Sequence, residues 1–134
     1  MSTHLESKDL INTQQMEVAV NGPDGATHLI LCTGVADLGS VSHEIYTFLV
    51  GPQFSRRQFV GVISSGALSR IQVDDINSSL ANSDVELEAN LISIEANYDD
   101  EAGQVKVSAK VSSTSTPKLA ISYNVSILAE LLSY

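Results

Sequence analysis

Residues 85–111 read VELEANLISIEANYDDEAGQVKVSAKV, an apolar–polar alternation that stops at an acidic knot and then resumes. Period two puts every second side chain of an extended chain on one face, so this stretch is constrained to half-buried sheet. Val85, Leu87, Ala89 and Leu91 share one face, while Ile92, Ile94, Ala96 and Tyr98 continue one residue out of phase. A slip of one residue would turn every side chain over, and a β-bulge near Leu91–Ile92 accounts for it most simply. Asp99-Asp100-Glu101-Ala102-Gly103 then reads as a turn, followed by Val105, Val107, Ala109 and Val111 on one face. After the polar loop SSTSTPK (112–118), a third run places Leu119, Ile121, Tyr123, Val125 and Ile127 together. These runs predict a three-stranded antiparallel meander at the C-terminal end, with one apolar face that needs a cover. The final ILAELLSY reads as a closing helical turn.

The cover is expected from the first half. Residues 1–14 read as a polar arm, and QMEVAV (15–20), NGPDG (21–25) and HLILC (28–32) read as a strand, turn and strand, hence a hairpin. Leu38, Val41, Ile45, Phe48 and Leu49 recur at three-to-four spacing, which predicts a helix capped near Gly39-Ser40 and ended at Gly51-Pro52. QFVGVIS (58–64) is apolar on both faces and reads as a covered strand, with a helix continuing after a break as the alternative. Val73, Ile76 and Leu80 predict a short amphipathic helix with Asp74 and Asp75 in its first turn. The fold class expected is therefore α+β: the meander, an N-terminal hairpin and one or two short packing helices. The arm occupies residues 1–14 and a single domain residues 15–134.

Length and composition bound the rest. At 134 residues the chain is one domain, able to bury roughly two-thirds of its unfolded surface. It is 43% apolar and 17% charged, which is globular composition, and its apolar runs are far shorter than the ~20 residues of a spanning helix. No membrane insertion is expected. The polar N-terminus shows no signal peptide and Cys32 is the single cysteine, so synthesis in the cytoplasm is the expectation.

The net charge is −9, and nine acids with no Lys or Arg lie between Ile71 and Val105. That balance disfavours nucleic acid, whose binding rests on clustered positive charge. An acidic face of this kind serves solubility or docks a basic partner.

Tests for chemistry fail one after another. The knot at 97–103 has oxygen ligands at alternate positions, but its glycine is displaced from the calcium-loop position and the closing glutamate is missing. His4, His28 and His43 have no zinc-site spacing. His28 and Cys32 share a strand face but lie about 13 Å apart at strand rise, too far for a Cys–His pair. Val-Ile-Ser-Ser-Gly around Ser64 lacks the glycine that a nucleophile elbow places two residues earlier, and no phosphate cradle is present. No catalytic residue, metal or cofactor is assigned, and the expectation is a non-enzyme. The candidate interaction residues are Arg56 and Arg57, the one basic pair beside aromatics, and the acidic turn Asp99, Asp100 and Glu101.

From residue 38 to about 127, the order helix, glycine-containing loop, short helix and meander resembles the wedge subunits of phage contractile-tail baseplates. Gly51 with Arg56-Arg57 corresponds to the family's glycine–arginine loop, and Ser65-Gly66-Ala67-Leu68 to its later glycine segment. The family's acidic-Pro-Arg-Ile signature is replaced here by Ser83-Asp84-Val85-Glu86-Leu87. The resemblance implies a structural virion subunit that works through contacts with other protein subunits, itself included. A small acidic protein-binding module is the alternative.

Overall fold

The computed structural model describes residues 2–20, 27–41, 43–72, 88–114 and 116–130. Its elements are eight strands: β1 (Ser2–His4), β2 (Leu10–Ala19), β3 (Thr27–Ser40), β4 (His43–Val50), β5 (Phe59–Gln72), β6 (Ala89–Asp99), β7 (Gln104–Ser113) and β8 (Lys118–Glu130). The only helical elements described are two short 3-10 turns, Ser7–Asp9 and Arg56–Gln58. The fold is all-β, which overturns the α+β expectation.

The strands form two four-stranded sheets, one in the order β1-β4-β7-β6 and the other in the order β2-β3-β8-β5. All pairings are antiparallel except the short β1–β4 pair, where Ser2–His4 runs parallel to Ile45–Thr47. The stretch expected to be a polar arm therefore supplies β1 and the first half of β2, and Leu5 between them is buried.

The helix expected over 38–50 is the end of β3, a corner, and β4. Leu38 and Val41 are buried before and in the corner, and Tyr46, Phe48 and Val50 are buried along β4. Ile45 and Leu49, which complete the apparent helical spacing, point to the opposite face. A strand–corner–strand thus mimics a three-to-four repeat, while the β-branched and aromatic content of HEIYTFLV favours sheet. Gly39, at φ 68°, turns the chain at the end of β3, and the Val41 N–H donates to the Pro117 carbonyl at 3.0 Å, tying the corner to the start of β8. The second expected helix, over Val73 to Leu80, lies outside the described residues. The closing helical turn is replaced as far as Glu130 by strand, and residues 131–134 also lie outside them.

The meander is corrected in its third member. β6 and β7 pair across the turn at 100–103, with the expected bulge between Leu91 and Ser93. β8 crosses to the other sheet and runs between β3 and β5. Its inward side chains, Leu119, Ile121, Tyr123, Val125 and Ile127, are all buried, and so are Val105, Val107, Ala109 and Val111 of β7. Phe48 meets Tyr123 across the sandwich with ring centroids 4.9 Å apart. The meander's apolar face is covered by a second sheet and not by helices. The two strands of the hairpin predicted over 15–33 pair as β2–β3, and its expected turn at 21–25 lies outside the described residues.

Candidate interaction surfaces

The predicted interaction residues converge at one end of the sandwich. Arg56 and Arg57 occupy the 3-10 turn ahead of β5, and Asp100 and Glu101 the β6–β7 turn after Asp99. Arg56 Nη1 lies 3.9 Å from Asp100 Oδ2, and its guanidinium sits 5.5 Å from the centroid of the Tyr98 ring. Backbone and side chain fasten the two loops together. The Phe54 N–H donates to the Gly103 carbonyl at 2.9 Å, and the Tyr98 hydroxyl donates to the Phe54 carbonyl. Phe54, Phe59 and Tyr98 pack with centroids 5.4 to 6.4 Å apart beneath the ion pair. The acidic turn and the basic loop are therefore each other's neighbours: Arg56 offsets Asp100, while Arg57 and Glu101 face solvent.

A cavity of about 210 Å³ opens between the sheets beside β2, with Cys32, Tyr123, Gly51 and Gln104 in its wall. Gln104 Nε2 donates to the Gly51 carbonyl at 2.6 Å. Burial pushes the Cys32 thiol up to about 11, so at neutral pH it is a thiol and a poor nucleophile. Tyr123 is likewise raised, first by burial and then by Cys32 beside it. Among the described residues no charged side chain is buried, and no group of three or more His, Cys, Asp or Glu converges.

The two outer sheet faces differ sharply. On the β1-β4-β7-β6 sheet the outward side chains include Lys106 and Lys110 of β7 and Glu95 and Asn97 of β6, in register with one another or one step apart. That face is wet and charged, as expected where one side of an antiparallel sheet meets solvent. On the β2-β3-β8-β5 sheet, register defines outward rows. Val18, Leu29, Leu128 and Gly61 form one row; Met16, Leu31, Ser126 and Ile63 form the next. Gln14, Thr33, Asn124 and Ser65 follow, and then Val35, Ser122 and Ala67. No charged residue occurs in these four rows, in a chain with 23 acidic and basic residues. Ile63 is 76% exposed and Met16 60%, with Val18 and Ile11 also open to solvent. Charge returns only at the rim: Glu130 at one end, and the Arg70–Asp37 pair at 3.8 Å at the other.

The edges of the sheets are treated differently from this face. Each of the three long edge strands is bulged: β2 between Ile11 and Gln14, where Asn12 adopts φ 53°; β5 at Phe59/Gly61 and Leu68/Arg70; and β6 at Leu91/Ser93. β1, the fourth edge, is three residues long. Bulges and shortness are the usual protections against edge-to-edge pairing. Sequence reasoning missed the uncharged face because it is assembled from four distant segments. Its trace was the two-faced apolarity of HLILC and QFVGVIS; the latter, expected to be a covered strand, is an edge strand that leaves Val60 and Ile63 open to solvent.

Comparison with known proteins places no neighbour beside this chain: no family model matches it, and no curated protein or solved structure matches it either. Among the described residues no helix is long and apolar enough to cross a membrane.

Proposed function

We propose that this chain is a structural, non-enzymatic subunit that works by protein–protein contact through the outer face of the β2-β3-β8-β5 sheet. The observation that carries this reading is the contrast between the two outer faces, one charged and one free of charge over four rows. Two of its rows expose apolar side chains together, Val18, Leu29 and Leu128 and then Met16, Leu31 and Ile63, and an apolar patch bordered by polar residues is a common mark of a contact surface. Incorporation in a virion tail or baseplate is the narrower form of the proposal. Its support is the sequence resemblance, less the helix placed over 38–50, where the chain runs from strand through a corner to strand, and less the third meander strand, which lies in the other sheet.

Recruitment of a basic partner by the acidic turn has less behind it, because Arg56 already sits against Asp100. Oxidation of Met16 by dilute peroxide tests the main reading, since thioether oxidation follows access. In assemblies from the native source Met16 stays reduced, and it oxidises after denaturation. Equal oxidation in both states removes the proposal.

A further inference from the structure

We infer that the occupant of this uncharged face is a second copy of the same chain, stacked face to face about a two-fold axis. The inference rests on the contact role proposed for the face and names its partner.

Three observations select a second copy. The first is charge. Each chain carries −9, so two copies repel through most of their surfaces. The four uncharged rows are where they approach without opposing like charges. A basic or acidic partner recruited by electrostatics would be met by a charged patch instead.

The second is extent. Four strands at about 4.8 Å spacing and about seven residues of strand length cover roughly 20 by 24 Å. With side-chain relief this is of the order of 700 Å² per copy, close to the ~800 Å² per partner of a standard stable interface.

The third is self-complementarity. A two-fold axis lying across the strands, between the Leu31 and Thr33 rows, reverses the strand direction of the second sheet. On β5 and β8 large side chains then meet small ones, Ile63 over Ser65 and Leu128 over Ser122, while on β2 and β3 Met16 lies over Gln14 and Leu29 over Val35. The same operation brings Glu130 of each copy to the end where the Arg70–Asp37 pair of the other lies, so that at each end Glu130 meets a base and an acid together. Sheets stacked this way keep their strands within about 30° of alignment at about 10 Å separation.

Sedimentation equilibrium of the full chain tests the inference. The wild type sediments as a dimer, and Ile63→Lys weakens dimerisation at least about 100-fold, since one substitution introduces two charges into a two-fold interface. Ile63 is 76% exposed, so lysine there leaves the fold intact, which far-UV circular dichroism verifies. Ser108→Lys, on the charged outer face, leaves the dimer unchanged. A wild type that stays monomeric up to about 1 mM, the weak end of specific association, overturns the inference. So does a dimer indifferent to Ile63→Lys, or one weakened equally by Ser108→Lys. A monomeric purified chain whose Met16 is nonetheless protected in native assemblies defeats the second copy while leaving the contact role standing. Loss of both defeats both.

Discussion

Replacing Gly34 by alanine would ordinarily strengthen a strand. Glycine in a strand interior loses more freedom on folding than alanine and packs nothing, a disadvantage of about 0.5–1 kcal/mol. Gly34 lies in the middle of β3, opposite Tyr123 of β8, and its backbone is not in the left-handed region. A Cβ built there would stand 2.5 Å from the Tyr123 Oη, 2.8 Å from Cζ and 3.0 Å from Cε2. Ordinary carbon contacts are about 3.5–4.0 Å, so the ring must withdraw by roughly 1 Å. The room left to it is the cavity beside β2, in whose wall it stands. Tyr123 is 3% exposed and is packed against Phe48 at 4.9 Å from the other sheet.

Overpacking of this kind costs about 1–3 kcal/mol, which outweighs the backbone gain. Gly34→Ala is therefore expected to destabilise by about 1–2 kcal/mol. For a chain of this size that is a fall in Tm of roughly 3–10 °C. The cause is separable by a double-mutant cycle in urea. Tyr123→Leu removes the ring tip, and in that background Gly34→Ala becomes neutral or stabilising, with a coupling of about 1–3 kcal/mol between the sites. Tyr123→Phe relieves only the hydroxyl contact and gives an intermediate value. A Gly34→Ala variant more stable than wild type, or strict additivity with Tyr123→Leu, would refute the packing argument.

Other expectations follow from the same interior. The Cys32 thiol, raised from 9.0 to about 11 by burial, contributes stability that is complete below pH 9 and is lost as pH rises through 11. Two units correspond to roughly 2–3 kcal/mol at most. Melting followed against pH should decline from about pH 9 in the wild type and later in Cys32→Ala, and Tyr46 and Tyr123, both raised, steepen the loss above pH 10 in either protein. Tyr98→Phe strands the Phe54 carbonyl at the clasped end and should cost about 1 kcal/mol or somewhat more in urea unfolding. Arg56→Ala removes an exposed ion pair and a ring contact, and should cost under about 1 kcal/mol, diminishing as salt is added.

What the sequence discloses follows from what is local. Alternation is a property of one strand, so the β2–β3 hairpin, β6, β7 and β8 were all legible, and the bulge at Leu91–Ser93 announced itself as a change of phase. Which sheet a strand joins is a property of distant pairs. Nothing in KLAISYNVSILAE distinguishes a third meander strand from one inserted between β3 and β5 of the other sheet. The segment 38–50 failed for a geometric reason: Leu38, the corner residue Val41 and the β4 side chains fall at helical spacing only because a corner interrupts the period of two. The clasp of Arg56 on Asp100 joins residues 44 apart and needed the fold, although both partners had been singled out by charge.

The protection of the edges bears on what kind of assembly the uncharged face can build. Sheets grow without limit when edges pair, because each added strand offers a new edge. Here β2, β5 and β6 each break register, so an incoming strand would lose hydrogen bonds at every bulge. Between these edges the β3–β8 ladder runs without a shift from Thr27 to Asp37, which keeps the middle of the outer face regular. A regular face between irregular edges favours stacking over strand addition. Stacking about a two-fold axis uses the same patch on both copies and then has no free patch left. If the face stacks in this way, contact by it closes after two copies, and any larger structure is built through the charged sheet, the clasped turn or another partner.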